Sequence, residues 1–180
     1  MKGSLEANYA EALFELCKER DNLNEVHSEI LWLSDVIEDN DELIRFLNAP
    51  TVEPVDKKNV LKNVFENELS KTTFDFLCVV VDKKRIKYLQ KIIDSFNALY
   101  NDEKNILEVT AITTIPLSET LRKKLIKKLE DVSGRTIVLN ERIDKSLIGG
   151  IVLEYQNTQI QGSIKHRLDE LRARINSVIA

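Results

Sequence analysis

The chain is 180 residues long, 43% hydrophobic and 31% charged, with a formal net charge of −4. That length allows one domain or two small ones, each with a real core. The longest uninterrupted apolar run, residues 76–81, falls far short of the roughly 18 residues a membrane-crossing helix needs.

The opening segment carries Glu6, Glu11 and Glu15 where a signal or transit peptide would be basic or apolar. The chain is therefore expected to be neither secreted nor membrane-spanning. Cys17 and Cys78 are too few for a disulfide framework and lack CxxC spacing, which suits two reduced core thiols. His27 and His166 are the only histidines, and neither has a companion at metal-ligand spacing. No metal site and no histidine-based triad is expected. The charge is uneven: residues 1–105 hold 14 Lys/Arg against 21 Asp/Glu, and residues 106–180 hold 12 against 9. The two parts are expected to face different partners.

In chain order, the first hundred residues read as amphipathic helices. Ser4 is placed to cap a helix whose stripe is Leu5, Tyr9, Ala12, Leu13, Leu16 and Cys17. A second helix puts Val26, Ile30, Leu33 and Ile37 on one face, with Trp32 and Val36 broadening it. After a short apolar-charged piece, "APTVEP" breaks the pattern, and Pro54 suits the first turn of the next helix. Helices resume with Val60, Leu61, Val64 and Phe65, then with "FDFLCVVV", then with a long one from Ile86 to Leu99. About six helices result, and an antiparallel bundle buries their stripes.

Near residue 106 the periodicity changes. "ILEVTAITT" alternates and is β-branched, so a strand is expected. Ser118 can cap a helix with Leu121, Leu125, Leu129 and Val132 on one face, and Gly134 suits the position just past its end. "RTIVLNERI" and "GIVLEYQNTQIQG" are further β-stretches, the second folding at Gln156-Asn157-Thr158. Ser163 can cap a final helix with Ile164, Leu168, Leu171 and Ile175 as its stripe. The expected order is β-α-β-β-α.

Four features invite chemistry. Gly149-Gly150 precedes a strand rather than a helix and lacks Gly-Lys-Ser/Thr, so it reads as a structural turn and not a phosphate cradle. The lysines of "LRKKLIKKLED" and the basic final helix offer a nucleic-acid footprint. Only Tyr155 supplies an aromatic in that half, however, and a solvated helix face fits better. The many carboxylates form no recognisable acid/base arrangement in sequence, leaving a small enzyme as a residual alternative. Finally, the first helix and "FDFLCVVV" are apolar on more than one side. Such a helix is either central in a bundle or offers a second face to a partner helix.

The segments "NYAEALFEL", "FLNAPTVEPVDKKNVL" and "LNERIDKSLIGGIVLEYQNTQIQGSIKHRLDEL", in this order and spacing, resemble the delta-subunit family of bacterial F-type ATP synthase. Its mitochondrial counterpart is the oligomycin-sensitivity-conferring protein. The resemblance spans nearly the whole chain, and Gln161 stands where the family usually has Asp. It implies an α+β, mainly α fold, with a six-helix bundle over 1–105 and a small α/β domain over 106–180.

It also implies a non-catalytic stator subunit with no cofactor and no nucleic acid, present in one copy per complex. By the resemblance, the bundle binds the N-terminal helix of the alpha subunit through Tyr9, Ala12 and Leu13 of the first helix and Phe76, Val79 and Val80 of the fifth. The C-terminal domain would hold the C-terminal end of the b subunits through Leu168, Leu171 and Ile175, and the beta subunit is a further candidate contact. The protein would then lie at the cytoplasmic face of the bacterial membrane, attached only through its partners. Met1 directly before the first helix favours a bacterial chain over an imported organellar one.

Overall fold

Ser4 starts the first helix as its position suggests: its Oγ accepts the Ala7 N–H at 3.3 Å. The computed structural model describes residues 4–147, 149–155 and 158–163, mostly helical with a four-stranded mixed sheet. The chain divides into two units, residues 1–100 and 101–180.

The first unit is built from α1 (Leu5–Glu19), α2 (Leu23–Glu38), α3 (Asp41–Asn48), α4 (Pro54–Phe65), α5 (Lys71–Asp82) and α6 (Leu89–Glu103), the last turn of which falls in the second unit. Its core joins Phe14 of α1, Ile30 and Leu33 of α2, Leu61 and Phe65 of α4, Leu77 of α5 and Phe96 of α6. Phe14 meets Phe96 edge-on, with ring centroids 6.3 Å apart. Burying one such side chain contributes on the order of 1.5–3 kcal/mol, so this cluster dominates the unit's stability.

Buried polar groups here have local work. Lys57 is almost fully buried, and its Nζ donates to the Ala49 carbonyl at 2.8 Å. An ammonium there satisfies a carbonyl left over at the end of α3 and opposes the negative end of its dipole.

The continuous helix expected from Ile86 does not form. Lys84 takes φ +55°, and its N–H and that of Arg85 close the end of α5 on Val81 and Val80. A 3-10 turn, Ile86–Tyr88, follows before α6 begins at Leu89. The cause of the misreading is geometric. A spacing of three, as from Ile86 to Leu89, aligns side chains in a 3-10 turn as well as in an α-helix.

In the second unit, β1 (Ile106–Thr113) lies between β2 (Thr136–Ile143) and β3 (Gly150–Tyr155), with β4 (Thr158–Ser163) outermost beside β3. β1 pairs with β2 in parallel, Val109 opposite Leu139, and with β3 antiparallel, Ile112 opposite Val152. The parallel pair requires a crossover, supplied by α7 (Glu119–Ser133). Ser118 caps α7, and Gly134 ends it at φ +67° with its N–H on the Glu130 carbonyl.

Leu125, Ile126 and Leu129 of α7 pack on Val109, Ala111, Ile137 and Leu139 of the sheet. Arg122 clamps the helix to β2, donating to Glu141 Oε1 and to the Leu139 carbonyl, each at 2.9 Å. The stripe expected on α7 is only half used: Leu121 is 56% and Val132 81% exposed. Among the described residues the order is β-α-β-β-β. The expected fold at Gln156-Asn157 and the final helix over 164–175 lie outside the described residues.

Candidate functional site

Two stripes with helical spacing face one another across the first unit. On α1 the stripe runs Tyr9, Leu13 and Leu16, continued by Arg20 just past its end, and on α5 it runs Thr72, Asp75, Phe76 and Val79. With Ala12 they line a groove of about 350 Å³. Leu13 forms a buried floor, Tyr9, Leu16 and Phe76 are half-buried walls, and Val79 projects with 47% of its surface exposed.

One end of the groove is polar and held in place. Arg20 Nη1 donates to Thr72 Oγ1 at 3.0 Å, and Asn22 Nδ2 donates to the same oxygen at 3.3 Å. The α5 wall is fixed from α2: Ser70 caps α5, and Glu29 takes the Ser70 N–H at 2.7 Å and its hydroxyl at 2.8 Å. Thr73 Oγ1 also donates to Glu29 Oε2. The result is an apolar trench with Arg20 and Asp75 on its lining, a form suited to an amphipathic helix.

Five of the six groove residues named from the sequence, Tyr9, Ala12, Leu13, Phe76 and Val79, lie together on this lining. Val80 does not. It is fully buried in the core, because one residue along a helix turns the side chain by about 100° and carries it from the groove to the interior. Leu168, Leu171 and Ile175 lie outside the described residues. Gly149 and Gly150 precede and open β3, with Gly150 at φ +92°, a conformation glycine adopts without penalty.

The sequence reading missed Leu16, Arg20, Thr72 and Asp75 as groove residues. Steps of three and four, extended from Tyr9 through Leu16 and back from Val79, would have reached them.

The residues singled out for chemistry are otherwise occupied. His27 stacks on Tyr100 at 3.5 Å between ring centroids, and its Nε2 meets Asn97 Oδ1 at 2.8 Å. Burial pushes the Cys17 thiol up to about 11, and burial also raises that of Cys78. Both sulfurs therefore stay protonated and unreactive near neutral pH. No group of three or more potential metal ligands occurs among the described residues, and no described helix is long and apolar enough to cross a membrane.

The family model for the ATP synthase delta (OSCP) subunit matches residues 5–175. The chain belongs to that family. The ATP synthase subunit delta of Clostridioides difficile (strain 630) is 34% identical over 173 residues, covering 96% of each chain. That of Desulforudis audaxviator (strain MP104C) is 33% identical over 175 residues, covering 97% of this chain and 96% of the relative. A chain in the cryo-EM structure of the Toxoplasma gondii mitochondrial ATP synthase hexamer superposes with a TM-score of 0.79 at 25% identity, covering 96% of this chain and 98% of that one. Delta subunits are non-catalytic members of the ATP synthase complex, and the family places this chain among them.

Proposed function

We propose that this protein is the stator joint of an F-type ATP synthase, tying the catalytic head to the peripheral stalk so that rotation is coupled to ATP synthesis. The observation that carries the proposal is the apolar groove between α1 and α5, with Val79 exposed on its wall. The N-terminal helical bundle, residues 1–105, receives the amphipathic N-terminal helix of an alpha subunit there. The C-terminal α/β domain, residues 106–180, holds the b subunits, with Leu168, Leu171 and Ile175 on a final helix as contacts. The protein then sits at the cytoplasmic face of the membrane through these partners.

A joint under torque needs slow dissociation, and nanomolar affinity corresponds to about 12 kcal/mol. A few apolar anchors in a groove supply that without any reacting group.

The test is a binding titration of the full chain with a peptide of the alpha N-terminus, beside Tyr9→Ala and Val79→Asp variants whose folding is checked by circular dichroism. Both variants should fold and bind more weakly. Wild-type affinity in both would refute the groove assignment. Recovery of alpha, beta and b subunits with the chain from native membranes tests the wider role, and their absence would refute it.

A further inference from the structure

The lining of the α1–α5 groove carries two charges, Arg20 and Asp75, and they are not equivalent. Arg20 is anchored: its Nη1 donates to Thr72 Oγ1 at 3.0 Å, and Thr72 is buried in the first turn of α5. Asp75 is the only carboxylate among the described lining residues. It is exposed, and it makes no hydrogen bond or ion pair with any described residue, Arg20 included. It stands one turn along α5 from Thr72 and one turn from Val79, within the stretch of wall that an occupant covers.

The two walls around it share its sign. α1 holds Glu6, Glu11, Glu15 and Glu19 against Lys18 alone, and α5 holds Asp75 and Asp82 against Lys71. Even with Arg20 added, the pair of helices is net negative, so the field at the groove draws cations towards it. Asp82 is already paired with Lys58 Nζ at 2.5 Å, which leaves Asp75 as the carboxylate of α5 without a counter-charge. A helix lying in the groove strips water from Asp75. A carboxylate covered by an apolar side chain opposes binding, and one met by a cation favours it.

We propose that Asp75 selects the groove's occupant by charge: it pairs with a Lys or Arg on the alpha-subunit helix, one helical turn from the apolar side chain that covers Val79. This pairing rests on the groove reading above and deepens it with the chemistry and register of the bound helix. A helix slipped along the groove by one turn sets its cation against Val79 or beside Arg20 and leaves Asp75 covered without a partner. The one carboxylate therefore discriminates register as well as identity.

The test is a charge-swap cycle in the full-length chain. It is titrated at low and high salt with a peptide of the alpha N-terminus, and with peptides in which each Lys or Arg in turn is replaced by Glu. Asp75→Asn, an isosteric change at an exposed position, should weaken the unaltered peptide about three- to tenfold at low salt and less at high salt. Asp75→Lys should weaken it further. One Glu-substituted peptide, and only one, should bind Asp75→Lys more tightly than it binds the wild-type chain. Circular dichroism should show both variants folded.

Wild-type affinity in both variants, with Val79→Asp still weakening the peptide, would overturn the pairing and leave the groove reading standing. Tighter binding by Asp75→Asn would do the same, because the carboxylate would then oppose the occupant. Weakening by Asp75→Lys that no Glu-substituted peptide relieves would also overturn it, since the field of the walls and not a particular pair would be at work. A peptide that fails to bind the wild-type chain at all would overturn both readings.

Discussion

Glu29, in the middle of α2, holds the start of α5 by accepting both the backbone N–H and the hydroxyl of Ser70, at 2.7 and 2.8 Å. A carboxylate at a helix N-terminus satisfies orphan donors and meets the positive end of the dipole. Because α5 is one wall of the groove, this contact links the fold to its site. Glu29→Ala should cost about 1–3 kcal/mol in urea denaturation, with Glu29→Gln losing less because it keeps an acceptor. A change below about 0.5 kcal/mol for Glu29→Ala would show that Ser70 alone fixes α5.

Val79 and Val80 are neighbours with opposite duties. Val79 is 47% exposed on the groove wall, whereas Val80 is fully buried. Val80→Ala should therefore destabilise the chain by about 2 kcal/mol, through lost burial and the cavity left behind. Val79→Ala should change stability by less than about 0.5 kcal/mol. Thermal or urea unfolding of the two variants side by side decides it, and equal losses would contradict the burial assigned to either residue.

This pair also marks where sequence reading stops. "FDFLCVVV" is apolar around most of a helix, so periodicity alone cannot say which valine faces inward; packing against the other helices decides. The local signals fared better, because their chemistry is completed within one turn. Ser4 and Ser118 start helices and Gly134 ends one where their positions suggest, and Pro54 opens α4. Glu29 bonds Ser70 across 41 residues, and no pattern in the sequence announces that. Nor does it announce the burial of Lys57, whose partner Ala49 becomes available only once α3 ends there.

Gly134 allows a clean test of backbone strain. It sits at φ +67°, and a Cβ placed on it would meet no atom within 4 Å. Gly134→Ala should therefore cost only the left-handed conformation, about 1–2 kcal/mol, and Gly134→Val more because of its branched side chain. Gly134→Asn should be the mildest of the three, since asparagine tolerates this region. Urea midpoints at constant slope would show the order, and a neutral Gly134→Val would mean that the end of α7 is not held in this conformation.

Cys17 predicts a pH dependence with a definite sign. It is fully buried in the core of the first unit, and that burial pushes its thiol up to about 11 from the ordinary 9.0. The folded state therefore favours the protonated thiol, and its stabilising effect is intact below the unfolded pKa. As pH rises from about 9 towards 11 the unfolded chain loses this proton first, and stability falls by up to roughly 2–3 kcal/mol from this group. Lysines and tyrosines titrate in the same range, so the measurement is the difference between wild type and Cys17→Ala. Urea denaturation at pH 8, 9, 10 and 11 should give a gap that is largest at pH 8, where wild type gains from the packed thiol. The gap should narrow, or change sign, by pH 11. A gap independent of pH would mean that the Cys17 thiolate forms as readily in the folded chain as in the unfolded one.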